Sequence, residues 1–248
     1  GALYDDIHWW KKNDMDFWTN MLMDVNPDSV LELACGTGRL AELFLRENIH
    51  YTGIDIIPDF IKSAKNKLAN YSNKFSFIRA DMRNFNLNKK YALIFIAFNS
   101  FLHLLTDKDV FDFLDCVKNH MNDNSRFLID IYIPNPLFLY RPLNCRYKVL
   151  EFINSKTNKK VFVEETNLYD GETGINEITW YFSTNKNKNY EIRKFSLRML
   201  FPSKMNHMLI DAGFKICNQW GDYYQTKLAE GSKLQIYNLM LDNYVSLE

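Results

Sequence analysis

The sequence carries no excess of charge of either sign: 30 Lys and Arg stand against 30 Asp and Glu in 248 residues, a formal net charge of zero. It also has no long basic block. Gripping a nucleic-acid backbone or an anionic membrane normally needs a basic stripe, so neither partner is expected. Cysteine is scarce. Cys35, Cys116, Cys145 and Cys217 are scattered with no C-x-x-C spacing, which argues against a zinc site or a disulfide framework and makes a reducing cytoplasm the default. No metal is expected. The longest apolar run, residues 91–98, is far too short to cross a bilayer. The first residues have neither the basic nor the apolar region of a signal peptide. A soluble cytoplasmic chain is the expectation.

What is present is alternation. A segment rich in Trp, Phe and Met (4–25) has the spacing of one amphipathic helix, and Pro27 ends it. Residues 29–34 then form a short apolar run, 38–47 a helical pattern, and 50–56 a second strand. Pro58 opens a further helix with Ile61, Ala64 and Leu68 on one stripe. Strands follow at 75–78, 91–98 and 126–132, and Thr106 with Asp109 forms a capping box before the helix between the last two. Strand–helix alternation of this kind implies an α/β fold with a doubly wound, largely parallel sheet. It stops near Asn135. From 147 to 201 the pattern is strand-like: a long hairpin around residues 170–174 and a third strand at 190–200. A helix over 202–212 and strands at 214–220 and 234–241 complete the chain. The expected division is a Rossmann-like domain, 1–146 and 202–248, interrupted by a small antiparallel β insertion at 147–201. The insertion either covers an acceptor site or forms a contact between two copies.

The most informative stretch is Glu32-Leu33-Ala34-Cys35-Gly36-Thr37-Gly38-Arg39, a strand running into a tight glycine turn and a helix. Gly36 and Gly38 allow close approach of a ligand to the backbone. Dinucleotide sites share this turn, so the glycines do not decide between ligands. Glu32 is more telling: a carboxylate at the end of the first strand would repel a pyrophosphate but suits a ligand with an ammonium and a sulfonium. Asp55 ends the second strand, 17 residues after Gly38, where an acid accepts hydrogen bonds from ribose hydroxyls. Asp81 follows the third strand. It is placed to accept from an adenine amine, while the Met82 amide donates to a ring nitrogen.

Residues 30–40, 51–56, 80–83 and 98–104 resemble, in order, the successive motifs of class I S-adenosylmethionine-dependent methyltransferases. The tail, through Phe201-Pro202, Ala212-Gly213-Phe214 and residues 221–235, is similar to small-molecule members such as amino-sugar and glycine N-methyltransferases. The resemblance implies a seven-stranded sheet whose last strand is antiparallel, with S-adenosylmethionine as cofactor and S-adenosylhomocysteine as product. It puts Gly36 and Gly38 beside the methionine moiety, Asp55 on the ribose, Asp81 and Met82 on the adenine, and the Phe98 carbonyl near the amino group. Ala34, Thr37, Ile56 and Asn99 flank these contacts, and Tyr4 closes over the methionine end.

Methyl transfer from a sulfonium is an in-line displacement in which the cofactor carries the reactive group, so no conspicuous catalytic motif is needed. His103, just past the fourth strand, is the leading candidate for a base and also faces the cofactor in similar enzymes. Tyr132, after the fifth strand, and Arg198, from the insertion, are further candidates. The expected reaction is methylation of a nitrogen or oxygen of a small molecule. Two alternatives stand beside it: an NAD-dependent oxidoreductase sharing the glycine turn, and a catalytically silent S-adenosylmethionine-binding protein. A nucleic-acid base methyltransferase is disfavoured, because strand four ends in Ala97-Phe98-Asn99-Ser100 without the Pro-Pro-aromatic run. Asp130 is a lone carboxylate where a metal-dependent O-methyltransferase would need several.

Overall fold

The computed structural model describes residues 1–71, 73–143 and 145–242; residues 243–248, the end of the expected core domain, lie outside them. Two helices come first, α1 (Ala2–Ile7) and α2 (Met15–Val25), followed by β1 (Ser29–Leu33), α3 (Ala41–Arg46), β2 (His50–Asp55), α4 (Pro58–Lys67), β3 (Phe75–Arg79) and β4 (Tyr91–Ile96). A 3-10 turn (Ser100–His103) leads into α5 (Asp107–Lys118), β5 (Met121–Tyr132) and the short α6 (Pro136–Leu139). Then come four strands, β6 (Tyr147–Asn154), β7 (Lys159–Asp170), β8 (Ile175–Ser183) and β9 (Glu191–Arg198), and finally α7 (Pro202–Asp211), β10 (Phe214–Trp220) and β11 (Leu234–Leu241).

The main sheet has seven strands in the order β3-β2-β1-β4-β5-β11-β10. β1 to β5 are mutually parallel, and β11 runs antiparallel to both β5 and β10. Every residue of β1 is buried, as a strand covered by helices on both faces requires. Alternate side chains of β4 serve two cores. Ile94 and Ile96 face Phe113, Phe127 and Leu209 on one side, while Leu93 and Phe95 face Trp18, Phe44 and Leu128 on the other. Strand order reverses between β1 and β4, so the crevice at their carboxyl ends is where this class of sheet binds ligands.

Two local expectations change. The segment 4–25 is two helices separated by residues 8–14, because tertiary contacts outweigh the continuous periodicity. Asp14, fully buried at the N-cap of α2, takes both terminal nitrogens of Arg39 at 2.7 and 2.8 Å. Lys11 reaches across to the Tyr223 hydroxyl at 2.7 Å. The insertion has four strands, β6-β7-β8-β9, all antiparallel, because residues 147–154 pair along the outer edge of the expected hairpin. α1 lies on this second sheet: Ile7 and Leu3 pack against Phe152, Val161, Val163 and Phe182.

Candidate active site

At the switch point a cleft of about 380 Å³ opens, lined among others by Tyr4, Ala34, Gly36, Asp55, Ile56, Asp81, Met82 and His103. Each of the first strands supplies its end. β1 runs into Ala34 and Gly36, which adopt left-handed conformations with φ of 54° and 56°. Only glycine accepts that region without steric cost, so the backbone at Ala34 is strained. The Tyr4 ring sits over Gly36, 3.7 Å from the point where a side chain would begin. β2 ends in Asp55, whose two carboxylate oxygens accept from the Gly36 and Ile57 amides, each at 2.8 Å. These bonds tie the β1 and β2 turns together and leave further lone pairs on both oxygens. Burial pushes the Asp55 carboxyl up, and the two amides oppose it.

After β3, Asp81 is gripped by Arg83 through Nη2 at 2.7 Å and Nε at 3.1 Å, and it also accepts from the Arg83 amide at 2.9 Å. This grip holds the Asp81 carboxyl below the usual carboxylate range. Arg83 also bonds Asp109 at 2.7 Å, which locks the loop to the start of α5. On the opposite wall, burial lowers the His103 pKa, against the pull of the Asp55 carboxylate and a hydrogen bond to the backbone of Ser196 in β9.

Seven of the expected residues lie off this cleft. Glu32 is beneath it, 5% exposed, and accepts a short hydrogen bond from the Tyr51 hydroxyl. Burial pushes its carboxyl up to about 8, so near neutrality it is largely protonated. Thr37 is buried and donates to Asp5, which pairs with Lys67 at 3.0 Å. Gly38 (φ 73°) sits where a side chain would meet the Phe77 ring at 3.1 Å and Ala64 at 3.2 Å, a glycine serving helix packing. Phe98 and Asn99, both left-handed with φ of 53° and 65°, line a neighbouring cleft together with Trp10, Lys11 and Tyr223. The Tyr132 amide donates to the Asn99 side chain at 2.8 Å, and its hydroxyl lies 3.4 Å from the Met199 sulfur. Arg198 is buried at the end of β9 and clasps Asp107 at the start of α5.

Sequence reasoning missed Ile57, Phe60, Arg83, Ser100 and Leu104 in the cleft wall. Arg83 was within reach, since it stands in the same Ala-Asp-Met-Arg stretch as Asp81. His8 was not. It is brought between Tyr4 (ring centres 4.2 Å apart) and Phe98 (5.2 Å) only by the break after α1. Its Nδ1 lies 2.9 Å from the Tyr4 carbonyl.

Residues 30–124 match the model of a methyltransferase domain. YqeM of Bacillus subtilis (strain 168), named as a methyltransferase, is 26% identical over 134 residues, 53% of this chain and 53% of that protein. The chain thus spans about half the length of this relative. Among solved structures, a S-adenosylmethionine-dependent methyltransferase from Clostridium acetobutylicum ATCC 824 superposes with a TM-score of 0.78 over 96% of both chains at 20% identity. CalS10, an amino pentose methyltransferase from Micromonospora echinaspora, covers 92% of each chain with a TM-score of 0.61 at 16% identity. The fold is therefore that of class I S-adenosylmethionine-dependent methyltransferases. The match to a methyltransferase-domain model over residues 30–124 runs from β1 into β5, the part of the sheet that carries the cleft. The antiparallel β11 also departs from the strand pattern of dinucleotide-binding sheets.

Proposed function

We propose that the chain binds S-adenosylmethionine in the cleft of Gly36, Asp55 and Asp81 and transfers its methyl group to a nitrogen or oxygen of a small molecule. One observation carries the reading: the ends of β1, β2 and β3 and the turn after β4 each contribute a group to one cleft, in the order such a ligand needs. The residues fit. Asp55 keeps lone pairs for two ribose hydroxyls. Ile56 and Ile57, 55% and 41% exposed, offer apolar surface to a planar base, and Asp81 and Met82 stand at its edge. Gly36 and Tyr4 enclose the methionine end, with Ala34 and Thr37 shaping the turn beneath.

When bound, the cofactor supplies an electrophilic methyl group. The chain's part is to orient an acceptor in line and exclude water, which is worth on the order of 7–11 kcal/mol when the geometry is right. His103 opens on the cleft and is kept neutral by burial, so it takes a proton from an acceptor that must lose one. Tyr132 turns its hydroxyl to the Met199 sulfur, next to the end of β9, and Arg198 acts by anchoring β9 to α5. Through Ser196 the insertion leans on His103, so we assign the insertion to covering the acceptor rather than to joining two copies. A fixed roof favours a small acceptor over nucleic acid, as does the zero net charge. CalS10's amino pentose acceptor supports nitrogen. The absence of disulfides among the described cysteines fits the cytoplasm.

The test is methyl transfer from labelled S-adenosylmethionine to a panel of amines and alcohols of small-molecule size. Turnover on a member of the panel is expected. His103→Gln should lower kcat by about 10²–10⁴-fold and remove an acid limb lying below the ordinary histidine pKa. Methylation of RNA or DNA but of no small molecule would refute the reading.

A further inference from the structure

Phe98 and Asn99 are consecutive non-glycine residues in left-handed conformations, a strained combination that persists only where the surroundings impose it. The surroundings here converge on Asp130, 1% exposed near the end of β5. Its Oδ2 accepts from the Phe98 amide at 3.1 Å and from the Tyr223 hydroxyl at 2.9 Å, and its main-chain oxygen accepts from the Asn99 amide at 3.0 Å. Tyr223 in turn accepts from Lys11 at 2.7 Å, Lys11 pairs with Asp14 at 3.4 Å, and Asp14 holds Arg39 of the glycine turn. The three hydrogens of the Lys11 ammonium are occupied by Asn13, Tyr223 and Asp14, so the lysine is committed to this chain of bonds and not to a ligand.

The chain of bonds runs around one end of the cofactor cleft. The Phe98 ring is 5.2 Å from His8, His8 is 4.2 Å from Tyr4, and Tyr4 covers Gly36. We propose that Asp130 is a positioning residue: by holding the strained Phe98–Asn99 backbone, and through Tyr223 and Lys11 the segment 8–14, it shapes the subsite for the cofactor's amino-acid end while leaving the nucleoside subsite untouched. The inference rests on the cofactor reading above. Nothing in the nucleoside subsite, Asp55, Ile57 or Asp81, bonds to Asp130.

The experiment compares two probes on the full chain by calorimetry. S-adenosylhomocysteine carries the amino-acid end; 5′-methylthioadenosine keeps the adenine, ribose and thioether and lacks that end. Asp130→Leu removes the acceptor at similar volume and should weaken S-adenosylhomocysteine by about tenfold or more while leaving methylthioadenosine within about twofold. Asp130→Asn keeps an oxygen that accepts both bonds and should restore most of the loss. Should Asp130→Leu not fold, Tyr223→Phe carries the same test, with a loss of about threefold confined to S-adenosylhomocysteine. Equal weakening of both probes, no weakening of either, or an Asn variant as weak as the Leu variant would overturn the inference. If the unaltered protein bound neither probe, the cofactor reading itself would fail, a result distinct from the others.

Discussion

Asp55 and Glu32 are acids at the ends of adjacent strands, and they meet different fates. Asp55 faces the cleft and is satisfied by two amides; Glu32 is sealed beneath with the Tyr51 hydroxyl as its hydrogen-bond partner. Sequence reasoning places both at the ligand; the Tyr51 hydroxyl, from β2, takes Glu32 instead. Burial has a consequence for stability. The folded Glu32 carboxyl is raised from 4.5 to about 8, so the folded protein keeps a proton that the unfolded chain loses. Its contribution is therefore fully present below the unfolded pKa and is lost as pH rises through the folded one. Glu32→Gln, which holds a neutral acceptor for Tyr51 at every pH, should raise the melting temperature more at pH 8 than at pH 5. An equal effect at both values would show that Glu32 does not titrate this way. The left-handed conformations of Ala34 and Phe98 were not legible: nothing in the Phe98 side chain announces that its amide will bond a carboxylate 32 residues away.

Among the elements, those whose stability is local were the legible ones. β1 and β4 are largely apolar, α4 carries proline at its first turn, and α5 begins with the reciprocal bonds foreseen from Thr106 and Asp109, at 3.0 and 3.1 Å. That cap also positions Arg83, through Asp109, against Asp81. Thr106→Ala should cost about 1 kcal/mol, read as a lower midpoint in urea unfolding with an unchanged slope; an unaffected midpoint would mean that the α5 start is held by the Arg83 and Arg198 contacts alone. Elements defined by distant partners were not legible. The break between α1 and α2 depends on Arg39 and Tyr223, far along the chain from Lys11 and Asp14. β6 is an edge strand of mixed pattern with Ile153 exposed, and it shows no clean alternation to read.

For the whole molecule, two sheets are joined by three structures: α1, which packs on the small sheet while Tyr4 covers the glycine turn; β9, which meets His103 and sends Arg198 to α5; and the buried Arg141–Glu165 pair at 2.6 Å where the chain leaves α6 for the insertion. The cleft residues at the ends of β1, β2 and β3 belong to the main sheet and follow the order of the sequence motifs. The acceptor side proposed above would lie between sheets, among segments distant in sequence, so no single motif spells out the acceptor. No helix among the described residues is long and apolar enough to cross a membrane.

The central claim is that the cleft at the β1–β4 switch point is made for S-adenosylmethionine. The most direct measurement is calorimetric titration of the protein and of Asp55→Ala with S-adenosylhomocysteine and with NAD. The account predicts micromolar binding of S-adenosylhomocysteine, weakened by at least about a hundredfold in the variant through loss of the ribose contacts, and no binding of NAD. Binding of NAD alone, or S-adenosylhomocysteine binding that ignores the loss of Asp55, would contradict it.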